Sequence, residues 1–414
     1  MLAHQKNNIM TVSEHQPVQV GYSSGGPPLE KRQLESLQRF HSTGVPYFTL
    51  IHNGVKFNEY VGVLKVGTLT IEVLPKMDRG EDNQKWRQIL LGMLHAVGIF
   101  DIHAPSSSQL SLKSNSILDL YFELFIKEVE MLLRAGLVKK YRKTEGNKSA
   151  LKGSILFANH IRENIVHQER FYVRHVVYDP KNHLNQILYK TLKLLQRINT
   201  NVVLSSRIGT ILLDFPEMPW IRVSSDLFSR LSFSRRTEPY RKAIAIAKLL
   251  LLQYHPDIKR GQENVLALMF DMNILWERFV YLSLLKNKKE EQTIEPQSSK
   301  DFWKPERGSK VRMRPDIVVN KGKKNCFVLD TKWKNLKGMN PSPEDLRQMF
   351  TYSTYYQAPK TMLIYPGKEE GSTNGKYFNR DGILHEQECG IINIAVKSEI
   401  REWQKDIARR ILHD

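Results

Sequence analysis

Three residues in the C-terminal third have types and spacing suited to hydrolytic chemistry: Asp316 in RPDIVV, and Asp330 with Lys332 in FVLDTKWK. Positions two apart on a strand point to one face, so Asp330 and Lys332 share a side of any sheet they enter. Two antiparallel strands joined by the short stretch NKGKKN bring Asp316 beside that pair, which gathers two carboxylates and one ammonium. Mg²⁺, for which Mn²⁺ can substitute, takes hard oxygen ligands and commonly uses only one or two protein carboxylates, keeping waters for the rest. Asp316 and Asp330 are the expected metal ligands, with the backbone carbonyl of Thr331 as a further one. Lys332 is the expected group to orient a water or to steady charge developing on an oxyanion. A plainer arrangement uses the same residues, with Asp316 capping a turn and Asp330 paired to Lys332 on a solvated face. The apolar strand runs beside each aspartate favour the reactive reading.

Other candidates lie close by in sequence. Glu277 interrupts the apolar pattern of ILWERFVYLSLL and reads equally as a further site residue or as a solvent-facing partner of Arg278. Gln348 and Tyr352 are four apart, hence on one helical face, where they can grip a substrate strand or form a buried tyrosine with a polar neighbour. Lys334 and Lys337 follow the reactive strand directly and are expected to contact phosphates. The further basic groups at Lys139, Lys140, Arg142 and Lys143, and at Arg235 and Arg236, read equally as solvated surface. Among 13 histidines no HExxH or comparable spacing occurs, so no structural zinc is expected.

The elements that must position these residues are legible from periodicity. Residues 45–76 alternate apolar and polar types between Asn-Gly and Val-Gly breaks, as short antiparallel strands do. Helical spacing runs through residues 84–100, 117–141, 184–195 and 240–254, and between the second and third of these LKGSILFANHIRENI and ERFYVRHVVYD mix β-branched and aromatic residues with turns. A helix over 273–285 precedes the strands VRMRPDIVV and CFVLDTKW, after which a helix, the strand TMLIYP and a closing helix follow. The expected class is mixed α/β (α+β), divided into a flexible tail over 1–28, a β-rich region over 29–110, a mixed middle region over 111–265 and a reactive domain over 266–414.

Bulk composition narrows the partners. With 62 Lys and Arg against 43 Asp and Glu, the formal charge is +19, which favours a polyanion such as nucleic acid. Two cysteines exclude a disulfide framework and suit a reducing, cytoplasmic setting. The opening residues lack the pattern of a signal peptide, and no apolar run reaches the roughly 18–20 residues of a spanning helix, so no membrane role is expected. No GxxxxGK[ST] occurs, so the chain is expected to bind no nucleotide itself.

RPDIVV, FVLDTKWK and the Gln-x-x-x-Tyr of QMFTY resemble the PD-(D/E)xK nucleases, particularly the branch with a Gln-bearing helix after the lysine. The chain as a whole resembles the McrC family, the nuclease subunits of the McrBC modification-dependent (5-methylcytosine) restriction systems. YVGVLKVGTLTIEVLPK is similar to that family's N-terminal β segment, and LKGSILFANHIREN and NHLNQILYKTLKLL to its central motifs. The resemblance spans residues 47–365. It implies a C-terminal PD-(D/E)xK domain in which Asp316, Asp330 and Lys332 are catalytic and Glu277 supports them from the preceding helix. It also implies an AAA+ GTPase (McrB-like) hexamer as partner, whose hydrolysis the subunit stimulates, and double-stranded, methylated DNA as substrate. The β-rich N-terminal region then enters the channel of the ring.

The leading expectation is therefore a Mg²⁺-dependent endodeoxyribonuclease subunit of a phage-defence restriction system. Double-strand cutting needs two active sites, so either two assemblies meet or one copy cuts twice. The alternatives are a non-catalytic DNA-binding or activating adaptor of an AAA+ ring, and a stand-alone repair nuclease.

Overall fold

The computed structural model describes residues 9–23, 27–75, 82–98, 116–255, 264–336 and 338–412. The chain divides into two compact units, one formed by Met1–Lys113 with Pro256–Asp414 and the other by Ser114–His255. The architecture is mixed α and β, as the residue patterns lead one to expect.

In the first unit, the alternating segment after residue 45 becomes four strands, Phe48–Ile51, Gly54–Phe57, Tyr60–Val66 and Leu69–Leu74. The last two pair antiparallel, and Val265–Asp271 joins the open edge of Tyr60–Val66, also antiparallel. The expected division at 265 therefore falls at the first residue of a strand that completes the N-terminal sheet. The expected flexible tail also needs correction. Ile9–Ser13 pairs parallel with Leu69–Leu74, and Pro17–Gln19 pairs antiparallel with Gly54–Phe57. Met10 and Val12 alternate inward with no more than 3% exposure. Burying such side chains contributes about 1.5–3 kcal/mol each, enough to order a short polar-flanked strand.

The remainder of this unit is a six-stranded mixed sheet in the order Ile294–Pro296, Ile317–Val319, Phe327–Thr331, Lys360–Gly367, Leu384–Ala395, Gly371–Phe378. The pairings at Phe327–Thr331 are antiparallel to Ile317–Val319 and parallel to Lys360–Gly367. VRMRPDIVV is not one strand. Val311–Met313 pairs with Lys300–Trp303 in a separate hairpin, and the chain changes sheets at Pro315, which has no N–H to give a ladder. Pro343–Tyr356 packs Met349, Tyr352 and Tyr356 into one apolar cluster with Val318, Val328, Leu363 and Tyr365 of the sheet. The helices Met272–Asn287 and Ile400–Leu412 meet through Trp276, Phe279 and Trp403, whose rings lie 4.8–6.2 Å apart.

The second unit contains the long helices Ile117–Ala135, His183–Ile198, Val202–Asp214 and Tyr240–Leu252 and a three-stranded antiparallel sheet. The helix expected over 117–141 stops at Ala135 because Gly136 takes φ +84°, and Lys140–Lys148 then pairs as a strand with Phe171–Asp179. Among the described residues, no helix is long and apolar enough to cross a membrane.

Candidate active site

The antiparallel register Ile317↔Leu329 sets the two aspartates opposite each other, since Asp316 precedes one partner and Asp330 follows the other. Alternation along the strand sends Val328 and Asp330 toward the helix Pro343–Tyr356, and sends Leu329 and Trp333 the other way. Lys332 lies just past the strand end. Its N–H donates to the Ile364 carbonyl at 3.0 Å, which holds its side chain on the Asp330 side.

Asp316 is fixed through one oxygen. Its Oδ2 accepts from the Thr331 N–H at 2.6 Å and from the Thr331 hydroxyl at 2.7 Å. Asp330 is 2% exposed, and its Oδ1 accepts from Gln348 Nε2 at 3.3 Å. Lys332 Nζ stands 2.7 Å from Asp330 Oδ2 as an ion contact without hydrogen-bond alignment, and it donates to Gln348 Oε1 at 3.2 Å. Gln348 Nε2 also lies 2.8 Å from the Tyr352 hydroxyl, which in turn donates to the Arg314 carbonyl at 3.4 Å. The structure thus joins Asp330, Lys332, Gln348 and Tyr352 through hydrogen bonds and an ion contact, and sets the bonded pair Asp316 and Thr331 beside them, close enough for the charge of Asp316 to act on Asp330. The plain surface ion pair does not describe a carboxylate this deeply enclosed.

Electrostatics follow from the crowding. Burial, and then the charge of Asp316, push Asp330 up to about 7. Burial likewise raises Asp316, against the hydrogen bonds from Thr331 that pull it down. Burial acts to lower Lys332, but Asp330 and the other nearby carboxylates outweigh it, and the ammonium is raised and stays charged. Burial raises the Tyr352 phenol to about 12, so it remains a neutral hydrogen-bonding group. The carboxylates of Asp316, Asp330 and Glu277 outnumber the Lys332 ammonium and the Arg314 guanidinium whose charges act on them, which leaves the cluster short of positive charge, and a divalent cation would restore it.

Glu277 projects from the helix Met272–Asn287, and its Oε1 accepts from Gln297 Nε2 at 2.9 Å. Gln297 also donates its backbone N–H to the Asp316 carbonyl at 2.8 Å, so it ties Glu277 to the aspartate. Burial, and then the charge of Asp316, raise Glu277. Sequence reasoning missed Gln297, a polar loop residue at φ +48° in an undistinguished stretch. No three Asp, Glu, His or Cys side chains form a ready cage among the described residues, so Glu277 does not complete a three-carboxylate site. The donor set nevertheless fits an oxygen-seeking cation that takes two carboxylates. Asp330 Oδ2 is buried without an aligned hydrogen-bond donor, and Asp316 Oδ1 accepts no hydrogen bond among the described residues.

Lys334 does not lie free for phosphate. Its Nζ pairs with Asp345 at 2.6 Å in the first turn of the helix that carries Gln348, and the Tyr365 hydroxyl donates to the same oxygen at 3.1 Å. Lys337 lies outside the described residues. In the second unit, Arg142 is taken up by Asp179 at 2.7 Å.

The fold is similar to two solved assemblies from Thermococcus gammatolerans. One is a half-complex from a tetradecameric assembly of McrB AAA+ hexamers with bound McrC. It matches with a TM-score of 0.71 at 20% identity over 97% of this chain and 100% of that one. The other is a McrBC complex solved by cryo-electron microscopy, which matches with a TM-score of 0.51 at 19% identity over 67% of this chain and 88% of that one. At these identities the likeness concerns the fold. No curated protein matches the sequence significantly. The profile of the McrBC 5-methylcytosine restriction system components matches residues 55–366, three quarters of the sequence, and the chain belongs to that family.

Proposed function

We propose that this chain is the endonuclease subunit of a modification-dependent restriction system, hydrolysing DNA phosphodiester bonds with Mg²⁺ when assembled with an AAA+ McrB-like GTPase. The observation that carries this reading is the enclosed cluster in which Lys332 and Gln348 hold Asp330 while the charge of Asp316 acts on it. A structural ion pair needs one carboxylate, whereas two raised carboxylates around one lysine suit a group that must recruit a cation. The partner is supported by the family and by the similar assemblies, which hold McrB AAA+ hexamers with bound McrC.

Asp316 through Oδ1, Asp330 through Oδ2 and the Thr331 carbonyl would hold the ion. When bound, Mg²⁺ lowers the pKa of a coordinated water and neutralises charge at the phosphate. Lys332 keeps its proton throughout. Gripped between Asp330 and Gln348, its ammonium is aimed at the region where phosphate charge grows and can donate to a phosphate oxygen or to the attacking water. Gln348 orients both Asp330 and Lys332, and Tyr352 fixes Gln348. Preorganisation of this kind avoids reorienting dipoles during the reaction.

The test is cleavage of 5-methylcytosine-bearing and unmodified plasmid by the full chain, with and without the McrB-like protein, GTP and Mg²⁺. Cutting that requires partner, nucleotide and metal supports the reading. Stimulation of the partner's GTP hydrolysis with no cutting at any metal concentration rejects it in favour of an adaptor.

A further inference from the structure

The hairpin formed by Lys300–Trp303 and Val311–Met313 is a sheet separate from the three larger ones of its unit and runs, through Arg314 and Pro315, straight into Asp316. Residues 300–314 carry six Lys and Arg against two acids. Asp301 spends its charge inside the hairpin, 2.5 Å from Lys310 and 3.0 Å from Arg312 across the strands. Lys300 is also occupied, donating to the Tyr355 carbonyl at 2.7 Å and lying 4.6 Å from the Tyr356 ring centre. Lys304, Arg307 and Arg314 are exposed and have no ion-pair partner among the described residues. The hairpin also shows two large aromatics to solvent, Phe302 at 47% and Trp303 at 58% exposure. Phe302 has a local reason, an edge-on contact at 5.5 Å with Tyr355 of the Gln348 helix, but Trp303 has none.

We propose that this hairpin is a DNA-gripping arm of the nuclease unit, with Lys304, Arg307 and Arg314 on phosphates flanking the scissile bond and Trp303 packed on sugar or base. Its occupant is duplex DNA because the exposed surface sets an apolar ring beside three cations that form no ion pair among the described residues, the chemistry that meets phosphates, sugars and base edges. Its root is rigid. Lys300 and Phe302 fasten it to Tyr355, on the helix whose Gln348 and Tyr352 hold the reactive cluster, so a strand held by the arm is placed relative to Asp316 and Asp330. The inference takes its substrate class from the nuclease reading above.

The experiment measures binding of the full chain carrying Lys332→Ala to an unmodified 30-base-pair duplex, by fluorescence anisotropy over a series of salt concentrations. Adding Lys304→Gln with Arg307→Gln is expected to weaken binding roughly tenfold or more near 0.1 M salt and to flatten the slope of log K against log salt by about 1.8. Adding Trp303→Ala is expected to weaken binding about fivefold with the slope unchanged, because an aromatic contact releases no counterion. Unaltered slope in the double variant, or no measurable binding by the parent, overturns the proposal. A chain that binds through the hairpin but never cuts with its partner sinks the nuclease reading alone. A chain that cuts while the hairpin variants bind like their parent sinks the arm alone.

Discussion

The indole N–H of Trp333, the residue after Lys332, donates at 2.9 Å to the carboxylate of Glu14, 319 positions away. Glu14 is 2% exposed and follows directly on the strand Ile9–Ser13, so the N-terminal strand is tied to the end of the strand that carries Asp330. On its other side Trp333 meets Trp276 edge-on at 5.6 Å. The expected consequence of Trp333→Phe, which removes the donor and keeps an aromatic ring, is a loss of about 1–3 kcal/mol in urea denaturation. A change within 0.5 kcal/mol would show that the bond contributes nothing.

The same strand makes the N-terminus costly to remove. Deleting residues 1–16 exposes the edge of Leu69–Leu74 and discards Met10, Val12 and the Glu14 acceptor. The expected destabilisation is ~3 kcal/mol or more. A flexible tail would leave the melting curve unmoved.

Why the sequence concealed this strand while showing the cluster around Asp330 is a matter of range. Asp330 and Lys332 are two apart, and Gln348 and Tyr352 four apart, so strand and helix periods alone place each pair on one face. Asp316 needed only a short hairpin to reach them. IMTVS, by contrast, is five residues long, too short for the alternation of Met10 and Val12 to stand out, and it pairs in parallel with a segment some 60 positions on, which no local pattern announces. Gln297 and Glu14 act through long-range hydrogen bonds, which no spacing rule reveals. The hairpin Lys300–Met313 was hidden because VRMRPDIVV reads as one apolar run, although Pro315 breaks it. The Lys334 pairing with Asp345 joins a strand end to a helix start, so the lysine's commitment is visible only in the fold.

That pairing separates two roles for Lys334. As an anchor for the first turn of the Gln348 helix, its replacement by Gln should lower the melting temperature by a few degrees and leave the salt slope of DNA binding unchanged. A flattened slope near 0.9 with unchanged melting would make it a phosphate contact instead.

The raised Asp330 gives a signed pH dependence. A carboxyl near 7 in the fold and near 4 when unfolded holds more protons folded, so between these values its contribution to stability falls as pH rises. Below about pH 4 the group contributes no penalty, and above about 7 the penalty is complete. In EDTA, Asp330→Asn should therefore melt higher than wild type at pH 8, with the gap closing toward pH 4. An equal or lower melting point at pH 8 contradicts the crowding of carboxylates. Added Mg²⁺ should raise the wild-type melting point at pH 8 and leave Asp330→Asn little changed, since metal and proton compete for the same oxygens.

Gln348 joins Asp330, Lys332 and Tyr352, so Gln348→Ala releases both the carboxylate and the ammonium from their set orientation. Cleavage should fall about 10- to 100-fold, chiefly in kcat, with DNA affinity held within about threefold. A loss confined to affinity would make Gln348 a substrate contact alone.

The most direct test of the central claim compares wild type with Lys332→Ala in Mg²⁺-dependent cleavage of 5-methylcytosine-bearing plasmid, each with the McrB-like partner and GTP. Wild type is expected to cut, the variant to lose at least about 100-fold, and both to stimulate the partner's GTP hydrolysis equally. Equal cutting by the two proteins would contradict the placement of the active site at Asp316, Asp330 and Lys332.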